Sequence, residues 1–64
     1  MESTTKKVIA DLIGSAYTDL KNAESGAPEY EMYYRSGVLA GLRRLAQALG
    51  MTEQELNQAE VRKA

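Results

Sequence analysis

Glu24-Ser25-Gly26-Ala27-Pro28 is the stretch whose reading decides the fold. It joins a glycine of the C′ type, suited to ending one helix, to a proline suited to the first turn of the next. The pattern predicts a loop over about residues 25–28 with a helix on each side. A connection this short makes the two helices antiparallel neighbours.

Upstream of the loop, Val8, Ile9, Leu12, Ile13, Ala16, Tyr17, Leu20 and Ala23 recur as i, i+1, i+4, i+5, the signature of one helical face. Asp11, Ser15, Thr18 and Asn22 occupy the other face. A helix over about residues 5–24 follows, with Ser3, Thr4 or Thr5 available as N-cap. Downstream, Gly50 is the next effective stop, which predicts a second helix over about residues 29–49, roughly 30 Å long at the standard rise. Its main apolar stripe is Tyr30, Tyr34, Val38, Gly41, Leu42, Leu45, Ala48 and Leu49. That stripe is expected to face helix 1, with Tyr34 stacked across from Tyr17 in the core. Thr52-Glu53-Gln54-Glu55 then has the form of a capping box, and Leu56, Ala59 and Val61 follow it. They predict a short third helix over about residues 53–62. The expected fold is a single all-α domain: an antiparallel two-helix hairpin with a short C-terminal helix, pairing into a helical bundle.

At 64 residues, one core only marginally offsets chain entropy. Disulfides are excluded by the absence of cysteine. Without histidine as well, only carboxylates remain to hold a metal, and neither a metal nor a cofactor is expected. Self-association is the remaining common route to more buried area. A formal charge of −1 with 27% charged residues lacks the strong positive field of sequence-independent nucleic-acid binding. Asp11 and Ser15 interrupt the first apolar stretch, so neither a signal peptide nor a membrane span is expected. A reducing cytoplasm is the expected compartment.

Helix 1 needs only one partner on this reading, whereas helix 2 carries a second apolar line through Met32, Leu39 and Ala46. Helix 3 could fold back over part of that line. The preferred expectation is a further interface, most simply a symmetric homodimer or small oligomer, because helix 3 is short. Gly37 and Gly41 lie four apart inside helix 2, where each glycine costs about 1 kcal/mol relative to alanine. Close packing against helix 1 is the preferred reason, and an exposed shelf for a ligand or a partner's side chain the alternative. Tyr30 and Tyr33 lie nearer the loop end, suited equally to binding or to peripheral packing. Asp19, Glu24, Glu29 and Glu31 gather at the loop end, while Lys6, Lys7, Arg43 and Arg44 gather at the open end. These patches read first as solvated faces, and alternatively as head-to-tail complementarity between protomers or a site for an anionic partner.

Catalysis is not expected. The chain has no His or Cys, so the usual base and thiol nucleophile are missing, and no glycine-rich phosphate loop is present. Glu53, Glu55 and Glu60 fall on the short terminal helix, where no pocket is expected to shift them.

The run from Leu42-Arg43-Arg44-Leu45 through Gly50-Met51-Thr52-Glu53-Gln54-Glu55-Leu56 resembles the opening of a Xre-type helix-turn-helix domain, over less than a quarter of the chain. That resemblance implies DNA binding beside Arg43 and Arg44. It is the alternative class.

The primary functional expectation is a small interaction protein, an adaptor or inhibitor of bacterial or phage origin. It presents a helical face to itself and to another protein. The expected contacts are Tyr30, Met32, Tyr33 and Leu39 as apolar anchors, with Arg43 and Arg44 as charged ones. A weaker alternative is an anionic ligand held in an oligomer cleft near Gly37 and Gly41.

Overall fold

Backbone hydrogen bonds organise the chain into α1 (Ser3–Glu24), α2 (Glu29–Ala48) and α3 (Glu53–Arg62). The computed structural model describes residues 2–62, and no strand occurs among them. The N-cap of α1 is Glu2, with an extended backbone and no side-chain cap bond. Ser3, Thr4 and Thr5 are therefore not the cap. Starting at Ser3 places all three in helical conformation and adds backbone bonds, including Lys6 N–H to the Glu2 carbonyl at 2.9 Å, that a later start would lose.

Gly26 does not act as a left-handed C′ residue. Ser25, in right-handed helical conformation, begins a tight unwinding in which the Ser25, Gly26 and Ala27 amides donate to the Asn22 and Ala23 carbonyls. Pro28 sits at the N-cap of α2, one position before the first turn. Its carbonyl accepts the Glu31 amide at 3.0 Å, and Glu29 and Glu31 place negative charge at the positive helix end.

The turn between α2 and α3 is the more specified of the two. Gly50, φ 104°, is the described residue with positive φ. Its N–H donates to the Gln47 carbonyl at 3.0 Å, and Met51 N–H donates to that of Ala46 at 2.9 Å. Those two bonds form a Schellman motif, which requires a left-handed residue at Gly50. Met51, buried beside Ala46 in the core, supplies the accompanying apolar contact. The capping box is present two residues later. Thr52 Oγ1 accepts the Glu55 N–H at 3.1 Å, and Thr52 N–H donates to Glu55 Oε1 at 2.9 Å.

One core unites all three helices. Ile9, Ala10, Ile13 and Ala16 of α1 meet Leu39 and Ala46 of α2, Met51 of the turn, and Leu56 and Ala59 of α3. Tyr17, Leu20 and Leu42 pack on its border. Helix α1 is thus the central element, packing extensively along both α2 and α3, which meet each other over a much smaller contact. This reverses the expected roles of helices 1 and 2.

Within α2 the two apolar faces are exchanged relative to expectation. Leu39 and Ala46 are buried and Met32 is half-buried, whereas Tyr34, Val38, Gly41, Leu45, Ala48 and Leu49 are exposed. Neighbouring charges account for the choice. Arg35 and Arg43 border the buried line, and each bridges to another helix: Arg35 to Asp19 at 3.5 Å, and Arg43 to Glu60 at 2.7 Å and Glu53 at 2.8 Å. Turning α2 to bury the other stripe would break these pairs and separate Ala46 from α3, where an alanine with no exposed surface allows close approach of three helices. The expected stacking of Tyr34 on Tyr17 is absent for the same reason. Tyr34 points to solvent with the Arg35 guanidinium over its ring, and Lys21 lies over the ring of Tyr17.

Candidate interaction surface

The hairpin carries its candidate surface on the side away from α3. Asp19 and Arg35 join α1 to α2 and mark the antiparallel register. Residues three or four apart share a helix face. Stepping turn by turn from that pair, Asp19, Ser15, Leu12 and Val8 run toward the open end of α1. In parallel, Arg35, Val38, Leu42, Leu45 and Leu49 run toward the end of α2. Leu12 and Leu45 are each about half exposed, at 50% and 51%, and Val8, Val38 and Leu49 are exposed beside them. Leu42, half-buried, connects this flank to the core.

A second strip lies along the crest of α2. Tyr30, Tyr34, Gly37, Gly41, Leu45 and Ala48 follow three- and four-residue steps and are all exposed. Tyr30 is 73% exposed and Tyr34 61%. A Cβ added at Gly37 or Gly41 would meet nothing within 4 Å, so the expected close packing of these glycines against helix 1 does not occur. They form an open shelf between the tyrosines and Leu45.

The six expected contact residues divide. Tyr30, Tyr33 and Arg44 are exposed. Tyr33 donates its hydroxyl to Glu29 Oε1 at 2.7 Å, a bond to a carboxylate that raises its pKa above the ordinary phenol value. Leu39 is 8% exposed and belongs to the core, so it is not a surface anchor in the folded chain. Met32 is half-buried on the same line. Arg43 is occupied by Glu53 and Glu60. Sequence reasoning missed Val8, Leu12, Val38, Leu45 and Leu49 as surface residues because it assigned them to the core. The spacing of Arg35 and Arg43, two turns apart beside Met32, Leu39 and Ala46, was the available signal.

The expected basic end is largely neutralised. Lys6 pairs with Glu55 at 2.8 Å and Lys7 with Asp11 at 3.4 Å. Among the cationic side chains described, Arg44 alone makes no ion pair. Glu55 is shifted, contrary to expectation: the hydrogen bond from Lys6, aided by the Thr52 amide, holds its carboxyl below the ordinary range. The cause is an ion pair plus a helix cap, and no enclosed pocket is involved. At the loop end, Glu24 raises the pKa of Lys21 by accepting its ammonium.

A groove of about 720 Å³ runs between the start of α1 and α3, lined by Lys6, Ala10, Met51, Glu55 and Ala59 among others. Within it Lys6 and Glu55 pair with each other, and Lys7 pairs with Asp11 outside it. Among the described residues, no group of carboxylates is placed to hold a metal ion, and no helix is long and apolar enough to cross a membrane. Comparison with models of known families, with curated proteins and with solved structures finds no match to this chain.

Proposed function

We propose that this chain is a non-enzymatic protein-interaction module, an adaptor or inhibitor that acts through the α1–α2 face opposite α3. The observation that carries the reading is the exposure of Tyr30, Tyr34, Val38, Leu45 and Leu49 together with Val8 and Leu12, which three- and four-residue steps place along neighbouring sides of the two helices. Isolated exposed apolar residues are ordinary, but a contiguous patch in a small domain marks a contact surface. Two exposed tyrosines add large contact area at low entropic cost. A cysteine-free chain suits a reducing cytoplasm.

Anchors are reassigned accordingly. Tyr30 and Tyr33 stay, Tyr34, Leu45 and Val38 join them, and Leu39 leaves. Capture from an extract of the source cells tests the reading with Tyr34→Glu and Leu45→Glu, against Gln54→Glu on exposed α3 surface as control. Both face variants are expected to lose the captured protein while their thermal transitions stay within a few degrees of the parent. Capture that persists through both substitutions would overturn the assignment of this face. DNA binding is not favoured, because Glu53, Glu55 and Glu60 surround the helix-turn-helix-like junction and occupy Lys6 and Arg43.

A further inference from the structure

We infer that the crest of α2 is the docking surface for a second copy of this chain, in which two α2 helices cross antiparallel about a two-fold axis between Gly37 and Val38. The inference rests on the interaction reading of this face and names one occupant for it. Along the crest, the bulky Tyr30 and Tyr34 precede the open positions Gly37 and Gly41, and Leu45 follows them, an order in which Tyr34 of one copy can seat on Gly41 of another. An antiparallel copy brings Tyr34 over Gly41 and Tyr30 beside Leu45, at both ends of the interface at once. Isologous contact of this kind is how a single surface serves both subunits. A parallel arrangement would instead put tyrosine against tyrosine and leave the shelf empty.

Charge selects the same orientation. Arg44, which has no ion pair among the described residues, and Glu29, which among them accepts the Tyr33 hydroxyl, lie toward the same side of α2 at opposite ends. A two-fold axis perpendicular to the helices brings like rims together with ends exchanged, so each Arg44 meets the partner's Glu29 end. Complementary rim charges of this sort fix orientation and register.

Sedimentation equilibrium at concentrations up to about 1 mM tests the inference. The parent chain is expected to move from 7.0 kDa toward twice that mass. Gly41→Gln is the decisive variant. Its side chain enters open space in the single chain and replaces a poor helix former, so the monomer's melting temperature rises, while Tyr34 of a second copy is displaced and the dissociation constant increases about tenfold or more. Arg44→Glu and Glu29→Arg each weaken association, and the double exchange restores it to within about twofold of the parent. A parent chain that remains at monomer mass overturns the inference, as does a Gly41→Gln chain that associates like the parent or a double exchange with no recovery. If the parent is monomeric while Tyr34→Glu and Leu45→Glu still abolish capture of another protein, the second copy falls and the interaction face stands. If those substitutions change neither capture nor association, both fall.

Discussion

At the scale of single residues, adjacent positions of α2 have opposite fates, and this provides the sharpest test of which face is the core. Leu39 is buried in the core shared by the three helices, while Val38 beside it is 36% exposed. Leu39→Ala removes packed methyl groups and leaves a cavity, so it is expected to lower the unfolding free energy by about 2–4 kcal/mol. Val38→Ala is expected to change it by about 0.5 kcal/mol or less. Urea denaturation of the two variants measures the contrast, and comparable losses would place both faces in the core. The difference was hard to read from residue type alone, since a leucine and a valine one position apart are equally apolar. Partners decide it: Leu39 lies between Arg35 and Arg43, whose guanidinium groups are drawn to Asp19, Glu53 and Glu60.

At the scale of elements, α3 is held by a short set of specific contacts around its first turn. Glu55 closes the capping box on Thr52 with one oxygen and accepts Lys6 with the other. Its pKa is lowered in the folded chain, so its contribution is present above the ordinary carboxylate range and is lost as pH falls through the folded value. Glu55→Gln keeps a side chain able to cap but removes the charge that Lys6 meets. The variant is expected to be less stable than the parent at neutral pH, with the gap narrowing as both are acidified below the carboxylate range. Parallel denaturation curves at neutral and acidic pH check this, and a gap independent of pH would separate the Lys6 pair from stability. The capping box was legible in Thr52-Glu53-Gln54-Glu55 because it is local, three residues from donor to acceptor. Lys6 as its third member was not, since 49 positions separate it from Glu55.

At the scale of the whole molecule, the hairpin depends on its third helix. Leu56 is fully buried, Ala59 nearly so, and both complete the core formed by Ile9, Ala10 and Ile13. Truncation after Gly50 would expose that side of α1 in a chain already near the lower size limit for a single core. The truncated chain is expected to lose its cooperative thermal transition, with helical circular dichroism falling gradually on heating. A sharp transition retained without α3 would show that the hairpin is self-sufficient. The same arrangement frees the proposed interaction face: with α1 packed along both α2 and α3, Val8 and Leu12 of α1 and the crest of α2 are left to solvent.

What the sequence by itself determined is whatever rests on neighbours along the chain. Helical periodicity, the stop at Gly50, the capping box, the loop before Pro28 and the short third helix are local, so residue order specifies them. Which side of α2 turns inward was decided only in the tertiary structure, because both sides are apolar enough to be buried and a helical wheel ranks them by size alone. Three-body geometry breaks the tie. Ala46 admits α3, and Arg35 and Arg43 reach carboxylates on two other helices. The core therefore takes the line through Met32, Leu39 and Ala46, and the tyrosines with the glycine shelf remain outside as the candidate surface.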